Sequence, residues 1–167
     1  MYIDPHGAGS KPLTVPSLQA MKQRGERIAA LTAYDYSFAV LVDQAGVDVT
    51  LVGDSLGMVV QGHATTLPVN MDAMVYHCAA VARGTRRALL VADLPFMSDV
   101  DVATAVRSGG RLLAEGGASM VKIEGAGPRL SAIEALAGNG IPVCAHLGLT
   151  PQSVHKLGGF RMQGRTA

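Results

Sequence analysis

Five short apolar runs recur along the chain, at positions 28–33, 47–52, 88–92, 119–123 and 141–145. Each is mostly β-branched or aliphatic and apolar on both faces. That is how strands of a parallel sheet read when both faces are covered. Stretches of helical period lie between them. Phe38, Leu41, Val42 and Ala45 share one helix face, with Asp35 placed to cap it and Gly46 just past its end. Met71, Met74, Val75, Cys78 and Val81 form a second stripe, between Asn70 and Gly84. Val102, Val106, Leu112 and Leu113 form a third, ending near Gly116, and Leu130, Ile133 and Leu136 a fourth, ending at Gly138. Ser17 is expected to cap a short leading helix that runs to Arg24 and stops at Gly25. The order is therefore strand and helix in alternation, which predicts parallel strands joined by right-handed crossovers. Two folds satisfy it: a doubly wound open sheet, which five strands complete, and a (β/α)8 barrel, which needs eight.

Each predicted strand leaves a polar group just past its carboxyl end. The groups are Tyr34 and Asp35, then Asp54 and Ser55, then Asp93, then Lys122 with Glu124, and last His146. In both folds those ends meet on one face, and that face carries the active site. Asp54, Asp93 and Glu124 are hard oxygen donors, which suit Mg²⁺ better than zinc. Lys122 and Glu124 are two residues apart, so a strand points both to the same side. A metal ion and an ammonium together make a receptor for a small anionic oxo-acid. Taken singly, an Asp after a strand is as readily a helix cap, and His146 a hydrogen-bonded structural histidine. His63, His77 and His155 read as loop or helix-surface residues, and Cys78 with the Met stripe as core packing.

Composition narrows the classes. The chain has 167 residues, 49% hydrophobic and 16% charged, so disorder is excluded for most of it. A formal charge of +1 gives no support to nucleic-acid or membrane-surface binding. Cys78 and Cys144 have neither disulfide-framework nor zinc spacing. There is no basic, apolar leader and no apolar run of about 18 residues. The expectation is a cytoplasmic protein, with residues 1–13 a loose tail and 14–167 one domain. Gly125-Ala126-Gly127 follows a strand, but Leu130 stands where a dinucleotide-binding loop needs its third glycine. No G-x-x-x-x-G-K-[ST] or G-x-S-x-G segment occurs, so nucleophilic serine chemistry has no support.

The segments LTAYDYSFA (31–39), LVGDSLGMVVQGHATTLPV (51–69), VADLPFMS (91–98), MVKIEG (120–125) and PVCAHLGLTPQSV (142–154) closely resemble the ketopantoate hydroxymethyltransferase family. The resemblance implies a barrel of the phosphoenolpyruvate/pyruvate type, of which this chain holds about the first five strands. It implies transfer of a hydroxymethyl group from 5,10-methylenetetrahydrofolate to 3-methyl-2-oxobutanoate, giving 2-dehydropantoate for pantothenate and coenzyme A biosynthesis. It places Asp54, Asp93 and Glu124 at a Mg²⁺ site and Asp54, Ser55, Asp93, Lys122 and His146 on the substrate. It also implies a homo-oligomer, a decamer in the family. The family's general base is a Glu on a later strand, after the segment matched by 158–165. The resemblance puts that Glu beyond Ala167, and no residue here corresponds to it. Two alternatives stay open: a metal-dependent lyase or mutase of the same barrel superfamily, and a non-catalytic fragment.

Overall fold

The computed structural model describes residues 11–164. Most of the predicted tail, 1–13, lies outside them. So does Ala167, beyond which the resemblance puts the general-base Glu. The elements follow the predicted alternation: α1 (Val15–Gln23), β1 (Ala30–Thr32), α2 (Tyr36–Gln44), β2 (Val49–Val52), α3 (Leu56–Val59), α4 (Met71–Gly84), β3 (Leu89–Asp93), α5 (Val102–Ala114), β4 (Met120–Glu124), α6 (Leu130–Gly138), β5 (Val143–His146) and α7 (Val154–Leu157). Single 3₁₀ turns at Gly127–Arg129 and Pro151–Ser153 lead into α6 and α7. The short α3 and α7 carry no periodic apolar face long enough to predict.

The strands are all parallel and lie in the order β1-β2-β3-β4-β5. A doubly wound sheet reverses direction at a switch point, whereas this sheet adds each strand beside the previous one. That is the winding of a barrel, here a five-stranded arc. Helices cover one face. Val52, Leu90, Ala92, Val121 and Ile123 of the strands pack with Ala39, Met74, Cys78, Val81, Leu112 and Leu136 of α2, α4, α5 and α6. Burial raises the Cys78 thiol to about 12, so it is core packing, as the stripe predicted. Val49, Leu51, Leu89, Val91 and Met120 share the other face, by strand register. There Val15 and Leu18 of α1 help to line an apolar cavity of about 430 Å³.

Caps define where the helices start. Asp35, Asn70 and Asp101 each accept a hydrogen bond from the backbone three residues on. The cap of α1 is Thr14 rather than Ser17. Ser17 instead returns the bond from N3, its Oγ accepting from the Thr14 N–H at 2.6 Å. This capping box takes precedence because Pro16 suits the first turn, where no N–H partner is needed.

Gly84 sits where α4 crosses α2. A Cβ there would meet the Tyr36 carbonyl oxygen at 2.7 Å and Ala39 Cβ at 2.9 Å. Alanine normally gains about 0.5–1 kcal/mol over glycine in a helix. The clash is with backbone that cannot swing away, so overpacking wins. Gly84→Ala is expected to destabilise the chain by about 1–3 kcal/mol, measured as a lower urea midpoint at unchanged slope.

Candidate active site

Strand register alone gathers the charged residues. Asp93 pairs across β3–β4 with Lys122, and Glu124 pairs across β4–β5 with His146. Side chains alternate along each strand, so all four lie on the face away from the helices, at its carboxyl-end rim. Asp54 joins them from the turn after β2. Gly53 makes that approach possible. A Cβ there would lie 2.9 Å from Ser55 Oγ and 3.2 Å from Asp93 Oδ2. Without one, the Asp54 N–H donates to Asp93 Oδ2 at 3.1 Å.

The site is buried and unevenly charged. Asp54 and Asp93 are each only 3% exposed. Lys122 Nζ lies 2.6 Å from Asp93 Oδ1 and 3.7 Å from Glu124 Oε1. Three carboxylates face one ammonium, which leaves two formal negative charges. Burial, then the charge of Asp93, pushes the Asp54 carboxyl above its ordinary value against the pull of Gln152 and Lys122. Burial pushes Asp93 upward against Lys122. Burial alone would lower Lys122, but Asp93, Glu124 and Asp54 outweigh it and the ammonium is held charged.

Buried surplus negative charge and hard oxygen donors fit a divalent cation such as Mg²⁺. Among the described residues, however, no three His, Cys, Asp or Glu side chains converge as a ready ligand cluster. Asp93 is engaged by Lys122, and Asp54 Oδ2 accepts from Gln152 Nε2 at 2.9 Å.

Gln152 is a site residue that strand-end reasoning misses. Its side chain reaches Asp54 and the Leu94 carbonyl, both at 2.9 Å, while its N–H donates to Glu124 Oε2 at 3.0 Å. It therefore ties the turn after β5 to the ends of β2, β3 and β4. The TPQS string gives no local sign of this, because the partners lie up to 98 residues away. Ser55 is placed by Tyr34, whose hydroxyl lies 2.8 Å from Ser55 Oγ. Tyr34 is held in turn by His77, with Nδ1 2.7 Å from its carbonyl oxygen. His77 is thus a link between α4 and the end of β1, where the sequence reading expects a plain helix-surface residue. Asp35 acts as the cap of α2. His146 is about one-third exposed, with Nδ1 3.4 Å from Glu124 Oε1 and no hydrogen-bond partner.

The parallel arc is similar in fold to longer solved structures. A phosphoenolpyruvate phosphomutase from Streptomyces platensis subsp. rosaceus matches 80% of this chain and 53% of its own, with a TM-score of 0.62 and 19% identity. A 2,3-dimethylmalate lyase matches with a TM-score of 0.59 at 18% identity, covering 80% and 52% of the two chains. Those likenesses carry the fold and no more.

Sequence carries the rest. The ketopantoate hydroxymethyltransferase family profile matches residues 12–167, and the chain belongs to that family. Its relatives include 3-methyl-2-oxobutanoate hydroxymethyltransferases from Halorhodospira halophila, 59% identical, and Tolumonas auensis, 61% identical. The matches cover 96% and 93% of this chain and 58% of each relative. The chain thus spans little more than half the length of these curated relatives. No helix among the described residues is long and apolar enough to cross a membrane.

Proposed function

We propose that this chain supplies the keto-acid half of a 3-methyl-2-oxobutanoate hydroxymethyltransferase, which moves a one-carbon unit from 5,10-methylenetetrahydrofolate onto 3-methyl-2-oxobutanoate to give 2-dehydropantoate. The observation that supports it most is the buried trio of Asp54, Asp93 and Glu124 around Lys122, in a chain of that family. Asp54 and Asp93, with Glu124 beside them, would hold Mg²⁺. When bound, Mg²⁺ supplies Lewis-acid polarisation of the 2-oxo group and eases loss of the C3 proton. Lys122 donates to the substrate oxygens and balances the negative charge that grows on them as that proton leaves. The Ser55 hydroxyl, oriented by Tyr34, donates to the keto acid, and His146 stands beside it. The low dielectric around the buried carboxylates strengthens each of these contacts. The proposal includes a cytoplasmic setting and a homo-oligomer, with no nucleic acid or membrane as partner.

Keto-acid binding tests the reading directly. Calorimetric titration with 3-methyl-2-oxobutanoate is expected to show binding in Mg²⁺ and little without it. Lys122→Met should weaken that binding by roughly tenfold or more, the loss of one charge-assisted contact worth about 1.5–3 kcal/mol. Equal affinity with and without Mg²⁺, or in Lys122→Met, would count against the assignment.

A further inference from the structure

Gln152 brings no charge to the site, yet it touches two of the three carboxylates there. Its Nε2 donates to Asp54 Oδ2 and to the Leu94 carbonyl, each at 2.9 Å. Its backbone N–H donates to Glu124 Oε2 at 3.0 Å. Leu94 directly follows Asp93, the last residue of β3. The side-chain amide can face only one way. A carboxylate and a carbonyl both accept, so the nitrogen must be the atom turned toward them.

The backbone around Gln152 is shaped for that reach. Pro151 opens the 3₁₀ turn Pro151–Ser153, and the Ser153 N–H closes it on the Thr150 carbonyl at 2.9 Å. The Gln152 N–H lies too early in the turn to find a partner within it, and Glu124 takes that donor. Val154, just beyond, is buried, whereas Leu147, before the turn, is 68% exposed. The segment between them is held to the site through Gln152.

A neutral donor has a specific use at this point. Lys122 engages Asp93 closely and Glu124 at longer distance. Among the described residues Asp54 has no ion pair of its own, and Lys122 pulls on it only at longer range. The amide of Gln152 fixes one oxygen of Asp54 and leaves lone pairs on that carboxylate for a cation. A lysine or arginine in its place would hold the carboxylate but repel a divalent ion. A glutamate would bring a fourth carboxylate with no N–H to offer.

We propose that Gln152 is a positioning residue for the divalent cation: it orients Asp54 and Glu124 as ligands and couples occupancy of the site to order in the turn after β5. The proposal rests on the metal-site reading above. Coupling of this kind runs both ways. If the bonds of Gln152 strengthen cation binding, a bound cation strengthens the hold on Gln152 by the same factor. Partners that orient metal ligands are typically worth roughly 10–100-fold in affinity.

Calorimetric titration with Mg²⁺ alone compares the unmodified chain with Gln152→Met, whose side chain is of similar length but has no donor. The variant keeps its backbone N–H for Glu124, and it is expected to bind Mg²⁺ about tenfold more weakly or worse. Mn²⁺ in the same site should give an altered electron paramagnetic resonance line shape in Gln152→Met, which a loss of stability elsewhere would not produce. Hydrogen exchange on the unmodified chain supplies the reciprocal measurement and needs no variant. Saturating Mg²⁺ should slow the amides of segment 147–153 by about tenfold. Native Mg²⁺ affinity or an unchanged Mn²⁺ spectrum in folded Gln152→Met, or exchange at the turn unmoved by Mg²⁺, overturns the proposal. If circular dichroism shows that the variant does not fold, the exchange measurement decides alone. The two readings separate cleanly. Mg²⁺ binding that is equal in the unmodified chain and in Gln152→Met removes the role of Gln152 and leaves the metal site standing. An unmodified chain that binds no Mg²⁺ sinks the metal-site reading, and this proposal with it.

Discussion

Asp54→Asn and Asp93→Asn are both expected to abolish Mg²⁺ binding, yet to shift the stability of the metal-free chain in opposite directions. Asp54 has no ammonium of its own; its Oδ2 accepts an amide from Gln152. Burial and the Asp93 charge raise its carboxyl above the value in the unfolded chain. The folded state is therefore most favoured where Asp54 is protonated, and it loses stability as pH rises through that raised value. Asparagine keeps an acceptor for Gln152 and removes the charge, so the variant should melt higher at pH 7. The gain should fade below about pH 4, where the aspartate is protonated folded and unfolded alike. Burial raises Asp93 as well, but Asp93 differs because it is the close partner of Lys122, at 2.6 Å, and asparagine would strip that ammonium of its ion pair. Removing its charge leaves a largely buried ammonium whose remaining ion-pair partner is Glu124, at 3.7 Å, with Asp54 acting only at longer range. Breaking a buried pair from one side costs about 3–5 kcal/mol, or roughly 6–20 °C in melting temperature for a chain of this size. Calorimetric Mg²⁺ titration and thermal melts in chelator check both halves. Unchanged Mg²⁺ affinity in both variants would refute the site, and a common direction of the melting shifts would refute the charge argument.

Deuterium exchange at C3 of 3-methyl-2-oxobutanoate is expected to stay near background with this chain and Mg²⁺. A chain extended past Ala167 to the full length of its relatives should exchange rapidly and form 2-dehydropantoate with 5,10-methylenetetrahydrofolate. The groups present stabilise charge but are poorly disposed to take the proton. Lys122 is held charged, and Asp93, Asp54 and Glu124 are tied down by Lys122 and Gln152. A proton step that lacks general-base help is slower by roughly 10²–10⁴-fold. The imidazole on the rim is that of His146, beside Glu124. Fast exchange that disappears in His146→Ala would overturn the expectation and make His146 the base.

Much of this site is readable locally because strand-end position and side-chain parity are local properties. Lys122 and Glu124 must share a face once they lie two apart on a strand, and the structure places them together with Asp93 and His146. Gln152 and His77 are not legible as site supports. Their hydrogen-bond partners are set by how turns and helices fold back over the sheet, at separations of 98 and 43 residues. The cap of α1 shows the same limit at short range. Thr14 and Ser17 are both good capping residues, and only the backbone geometry decides which precedes the first turn.

The alternation of strands and helices, the parallel pairing, the helix-facing core and the set of polar groups at the strand ends are all written into the local pattern. Periodicity and crossover handedness suffice for these, because each depends on neighbours within one βαβ unit. Strand order is a tertiary matter. The same units build an open sheet or a barrel, and the choice lies in whether helices pack on one face or two. Here α2, α4, α5 and α6 share one face, the strands add in sequence, and the other face holds Asp93, Lys122, Glu124 and His146 at its rim. The surplus of two buried negative charges and the link through Gln152 exist only once that arc has brought distant strand ends together.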